Sequence, residues 1–174
     1  MPISPTRMMF VEEVLPRVRG RTLVVGVRDY CRYDIPDSVS LDIDADAFPD
    51  IVADICDTKL QPDQFDTVVC FGVIRYCRDP FAAVAEIRRL LKPGGKALFG
   101  LEFNGPPDGV DKYGGDKWRF TPEGVKALLK DFDIAWMMPF ESKTIFVEAV
   151  KRSGGNKRAG RGAGGVSRQP RLGP

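Results

Sequence analysis

The stretch that decides the fold begins at Phe65-Asp66-Thr67-Val68-Val69-Cys70-Phe71. It passes Asp79-Pro80 and the apolar positions Phe81, Val84, Ile87 and Leu91. It ends at Pro93-Gly94-Gly95 followed by Lys96-Ala97-Leu98-Phe99-Gly100-Leu101-Glu102-Phe103. The first run is almost continuously apolar, as suits a central parallel strand covered on both faces. Asp79 and Pro80 supply an N-cap and a first-turn proline. The apolar residues that follow recur at helical spacing, and Arg88, Arg89 and Lys92 fall in the last turn, where cations suit the negative end of the helix dipole. Pro93-Gly94-Gly95 stops the helix before the second apolar run. Strand, crossover helix and strand make one βαβ unit.

Toward the N-terminus, residues 21–27, 39–43 and 51–54 read as three further strands. The connections between them, 28–38 and 44–50, are shorter than the dozen or so residues a parallel crossover usually needs. The first half of the sheet is therefore expected to be trimmed, with single helical turns at most. Residues 5–18 carry Met8, Met9, Val11, Val14 and Leu15 as a partial apolar stripe, which suits a helix packed at the sheet edge or one that meets a partner. Toward the C-terminus, Thr121-Pro122-Glu123 caps a second helix with Val125, Leu128 and Leu129 buried, and 132–138 and 143–150 read as closing strands. The expected organisation is an N-terminal helix in 1–19, an open and mostly parallel α/β sheet of about seven strands in 20–150, and a tail at 151–174.

Charge sharpens that division. The tail holds seven of the 26 Lys and Arg and no acid, leaving 19 positive against 24 negative charges, a net −5, over residues 1–150. Such Gly/Arg-rich composition predicts a disordered segment and, at most, weak salt-sensitive contact with polyanions. No apolar run approaches the roughly 20 residues that span a bilayer. Met1-Pro2-Ile3-Ser4-Pro5 lacks the basic-then-apolar order of a secretory signal, so a soluble, cytoplasmic chain without membrane contact is expected. The absence of histidine excludes Ser-His-Asp and Cys-His catalysis and the common zinc sites, and no metal site is expected. A general base must be Asp, Glu, Tyr, Lys or Cys.

In open α/β sheets ligands bind beyond the carboxyl ends of the strands. The candidates there are Gly26, Val27 and Arg28 after the first strand, Asp42 and Ile43 at the second, Asp54 and Ile55 at the third, and Phe71, Gly72 and Val73 at the fourth. An acid ending the second strand suits a ribose diol, a second acid suits an adenine amino group, and the isoleucines suit a flat base. The same acids also suit loop capping on a solvated edge.

The runs Leu41-Asp42-Ile43-Asp44, Asp50-Ile51-Val52-Ala53-Asp54-Ile55 and Phe65–Cys70, the segment Ala85–Gly95 and Asp116-Lys117-Trp118-Arg119-Phe120-Thr121-Pro122-Glu123-Gly124 resemble the type 11 class I methyltransferases over about residues 20–150. The resemblance implies a Rossmann-like fold and S-adenosyl-L-methionine as cofactor, its ribose on Asp42, its adenine near Asp54 and Ile55, and its methionine part over Gly26 and near Gly72. It implies a small-molecule or glycan-related acceptor, with Asp116 deprotonating or orienting it and Trp118 and Arg119 shaping its pocket. Core packing for Trp118 and a plain ion pair for Arg119 are the structural alternatives. The chain departs from the family pattern in the first loop, where Val24-Val25-Gly26-Val27-Arg28 has one glycine and no acid. It departs again at Gly72-Val73-Ile74-Arg75-Tyr76 and at Gly115. These departures leave a second expectation, a methyltransferase-like domain without catalysis that serves binding or assembly. No G-x-G-x-x-G follows the first strand, which places a nicotinamide dehydrogenase third.

Overall fold

The computed structural model describes residues 10–27, 35–104, 114–141 and 143–153. Seven strands form one sheet: β1 (Thr22–Val25), β2 (Ser38–Asp42), β3 (Ile51–Val52), β4 (Phe65–Phe71), β5 (Leu91–Glu102), β6 (Phe132–Phe140) and β7 (Thr144–Lys151). Their order is β3-β2-β1-β4-β5-β7-β6. The first five run parallel and the β6–β7 hairpin closes the sheet antiparallel, so the expected Rossmann-like α/β architecture is the observed one.

The continuous apolar run of β4 follows from its central place. Val68 and Cys70 face a core shared with helices α1 (Pro80–Leu90) and α2 (Pro122–Leu128). Val69 and Phe71 face the opposite core, covered by Val14, Leu15 and Val18 and by Trp136, Met138 and Phe140. Asp79 caps α1 by accepting the Phe81 and Ala82 N–H groups, and Thr121 caps α2 through the Gly124 N–H. Glu86 of α1 accepts from the Thr58 N–H and hydroxyl and from Arg89, tying the segment after β3 to the helix.

Several boundaries differ from the sequence reading. β1 and β3 are shorter than expected and β2 is shifted by one residue, while a single turn at Ala45–Ala47 joins β2 to β3, as the short connection implied. Pro93-Gly94-Gly95 does not separate α1 from its following strand. Leu91 already pairs with Phe65, and the register then shifts before Thr67 meets Lys96, so the glycines form an irregularity inside β5. Among the described residues the N-terminal segment is helical over Phe10–Arg17, as a wide turn and then a tight one that contains Pro16; Met8, Met9 and the rest of 1–9 lie outside the described residues, as does the tail from 154. Pro139 is tolerated in β6 because that strand is the sheet edge. No helix among the described residues is long and apolar enough to cross a membrane.

Candidate active site

The tips of β2, β1 and β4 meet because these strands are parallel neighbours. Gly26 leaves β1 at φ +81°, in the region open to glycine. A Cβ at that position would lie 2.3 Å from Val73 Cγ2, so Val73 fills the space left by the missing side chain. The buried Val27 donates its N–H to Asp42 Oδ2 at 3.0 Å, and the Asp44 N–H donates to Asp42 Oδ1 at 2.9 Å. The half-buried Asp42 carboxylate is thereby fixed between the two tips with one donor on each oxygen. A carboxylate offers about four acceptor positions, so each oxygen keeps one for a ligand hydroxyl. Arg28 lies outside the described residues.

Asp54 is held similarly, by the Cys56 N–H at 2.8 Å. The two isoleucines separate. Ile43 is 51% exposed beside Asp42, whereas Ile55 is buried in the core, so only Ile43 presents its side chain at the surface. The Phe71 ring is likewise a core group, 5.5 Å from Phe146, and only its backbone faces the tips. Its carbonyl oxygen lies 3.9 Å from the Cβ position of Gly26. Burial pushes the Cys77 thiol up to about 12 and also raises the neighbouring Cys56, which removes both from the possible bases near neutrality.

Beyond β4 and β5 the contacts change character. Gly72, at φ +68°, donates its N–H to Gly100, and the atom facing its open side is Glu102 Oε1, 3.6 Å from a Cβ position there. Arg75, in the turn Ile74–Tyr76, places Nε 3.1 Å from Asp116 Oδ1 and 4.0 Å from Glu102 Oε2. Its guanidinium lies 4.7 Å from the Tyr76 ring centre and donates to the Tyr76 hydroxyl. Arg119 pairs with the other Asp116 oxygen. The segment is laid down by backbone bonds from Lys117 and Trp118 to the Arg75 carbonyl and from Phe120 to that of Glu102. Burial raises the Glu102 carboxyl; the Arg75 and Arg119 charges oppose the shift and Asp116 adds to it.

The segment 116–119 thus meets the β4 and β5 tips. Asp116, its side chain 5% exposed, is gripped by two guanidiniums, an arrangement that anchors the segment. Trp118 is not a core residue: it is 38% exposed and donates its indole N–H to the Cys77 carbonyl at 2.8 Å. The sequence reading missed Arg75, Tyr76 and Glu102 as site residues. Glu102 carried a usable signal, an acid ending an apolar strand, the same signal that marks Asp42. Among the described residues no group of three or more candidate ligands is placed to hold a metal ion.

A methyltransferase domain family model matches residues 19–99. No curated protein matches the sequence. Among solved structures, the chain resembles the N-methyltransferase NodS of Bradyrhizobium japonicum in complex with S-adenosyl-L-homocysteine, with a TM-score of 0.64 at 13% identity, covering 84% of this chain and 85% of that one. It resembles the Burkholderia thailandensis 1,6-didemethyltoxoflavin-N1-methyltransferase with a TM-score of 0.59 at 14% identity, over 84% and 82% of the two chains. An S-adenosylmethionine dependent methyltransferase of Mesorhizobium loti gives 0.60 at 17% identity, over 75% and 90%. The segment from β1 into β5 therefore matches the methyltransferase domain family, and the whole sheet has the fold of S-adenosylmethionine-dependent methyltransferases.

Proposed function

We propose that this chain binds S-adenosylmethionine across the tips of β1, β2 and β4 and transfers its methyl group to a small-molecule or glycan-related acceptor. The observation that carries the reading is the Asp42 carboxylate, which two backbone N–H groups fix while each oxygen keeps a free acceptor position. Those positions fit the two hydroxyls of a ribose, and charge-assisted bonds of this kind contribute roughly 1.5–3 kcal/mol each. Exposed Ile43 offers one apolar face to a base, and Asp54 offers an acceptor beside it. The cofactor supplies the reactive methyl group; the protein's part is to position and to exclude water. Arg75 and Arg119 hold Asp116 so that Trp118 and Tyr76 stand at the β4 side, where an acceptor would enter.

Calorimetric titration with S-adenosylmethionine tests the reading. Binding that Asp42→Ala abolishes supports it, and a flat titration of the intact protein removes it. A ligand at 100 times its dissociation constant also adds about 2.7 kcal/mol of stability, which a thermal melt reads without any acceptor. A second reading, a domain that binds without catalysis, is favoured by the Val73 side chain from beyond β4, which fills the open side of Gly26. Methyl transfer to any acceptor in a cell extract excludes it.

A further inference from the structure

The two strand-tip glycines differ in what stands over them. The open side of Gly26 is filled by Val73, whereas the open side of Gly72 is bordered by the Glu102 carboxylate at ordinary contact distance. β1 brings no acid to this place, since Val24 and Val25 are both buried in the core. Asp42 already holds two backbone N–H groups. Glu102 Oε2, by contrast, accepts no hydrogen bond among the described residues. Resting on the proposed cofactor site, we infer that Glu102 is the anionic contact for the α-ammonium of the methionine moiety, received beside Gly72.

The chemistry fits a small cation. An ammonium has three donors and no acceptor, and the tip offers a carboxylate beside a glycine that leaves it open to approach. The groups facing Glu102 are Arg75 from the turn after β4 and Asp116 and Arg119 from the segment before α2. Arg75 stands 4.0 Å from Glu102 but 3.1 Å from Asp116, so of these two carboxylates it pairs with the latter. Burial raises the Glu102 carboxyl in the free protein. A bound ammonium favours the ionised form, so binding draws a proton off and weakens as the pH falls toward the raised range.

The experiment compares two probes on the full chain by calorimetry. S-adenosylhomocysteine carries the ammonium; methylthioadenosine has the same nucleoside without it. Glu102→Gln is expected to weaken S-adenosylhomocysteine about tenfold, in line with loss of one charged hydrogen bond, and to leave methylthioadenosine unchanged. Glu102→Asp is expected to keep part of the difference. Wild-type affinity for S-adenosylhomocysteine falls on acidification, and the Gln variant loses that slope. The methylthioadenosine arm reports whether each variant is folded. Equal weakening of both probes, or no weakening of either, overturns the inference. Wild-type protein that binds neither probe overturns the cofactor site itself, and the inference with it.

Discussion

The two halves of the sheet build their tips by different means. β1, β2 and β3 have four, five and two residues; β4, β5, β6 and β7 have seven, twelve, nine and eight. In the short half, each acid accepts from the backbone N–H two residues on, Asp42 from Asp44, Asp44 from Asp46 and Asp54 from Cys56, and Asp42 also accepts from Val27 at the neighbouring strand tip. In the long half, the tip is made by side chains distant in sequence, with Arg75 pairing Asp116 and approaching Glu102. A sheet trimmed of its crossovers can still fix a carboxylate, because an Asx-type turn needs only two or three residues. An acceptor-side wall needs a long return segment.

The largest test of that contrast is in the core beneath each half. Phe99 is fully buried in β5 and meets Phe132 edge-on at 6.4 Å. Phe99→Ala should cost about 3–5 kcal/mol in urea unfolding, whereas Leu41→Ala in β2 should fall near ~2–3 kcal/mol, since the short strands around it relax more easily around the loss. Equal costs would mean that the halves are equally rigid.

Next in size is the paired tip. Asp116→Asn leaves two guanidiniums without their shared carboxylate, and about 2–3 kcal/mol is expected, below the range for a fully buried pair because Arg119 is partly solvated. A double-mutant cycle with Arg75→Met should recover part of this as coupling. Simple additivity would show that the two side chains do not act together.

Between the halves lies Glu86, which joins the segment after β3 to α1. Arg89 above all, with Thr58, holds its carboxyl at about 2 against an ordinary 4.5. A group depressed in the folded state stabilises above its unfolded value and loses that contribution as the pH falls through the folded one. The full shift corresponds to about 3 kcal/mol, but Arg89 is 37% exposed and screening reduces the contribution to about 1–2 kcal/mol. Thermal melts of wild type should therefore drop between about pH 4.5 and 2. Glu86→Gln should lower the neutral-pH stability and flatten the drop.

What the sequence made legible follows the same division. The βαβ unit was readable because the periodicity of Phe65–Phe71 and Phe81–Leu91 and the Asp79-Pro80 cap are local signals. The place of Asp42 was readable because it ends a strand. Its partner Val27 was not, since that bond spans 15 residues. Arg75 and Glu102 escaped notice because nothing near either residue announces the other, and a long loop brings Asp116 to both. Ile55 was misjudged for a related reason: apolarity beside a candidate site does not tell whether the side chain turns to the ligand or to the core.

The smallest expected effect runs in the stabilising direction and probes the turn that replaces a crossover helix. Phe48 ends the Ala45–Ala47 turn at φ +52° with its ring 88% exposed. A bulky L residue in that region loses roughly 1–2 kcal/mol to contact between its Cβ and the following carbonyl. The exposed ring returns almost nothing by burial. Glycine removes the steric cost and adds unfolded-state entropy of about 0.5–1 kcal/mol, so Phe48→Gly should raise stability by about 0.5 kcal/mol. Asn, which tolerates the same conformation, should do nearly as well. A loss of stability on either substitution would mean that the ring makes a contact holding the short half together, and that the trimmed connection depends on side-chain packing after all.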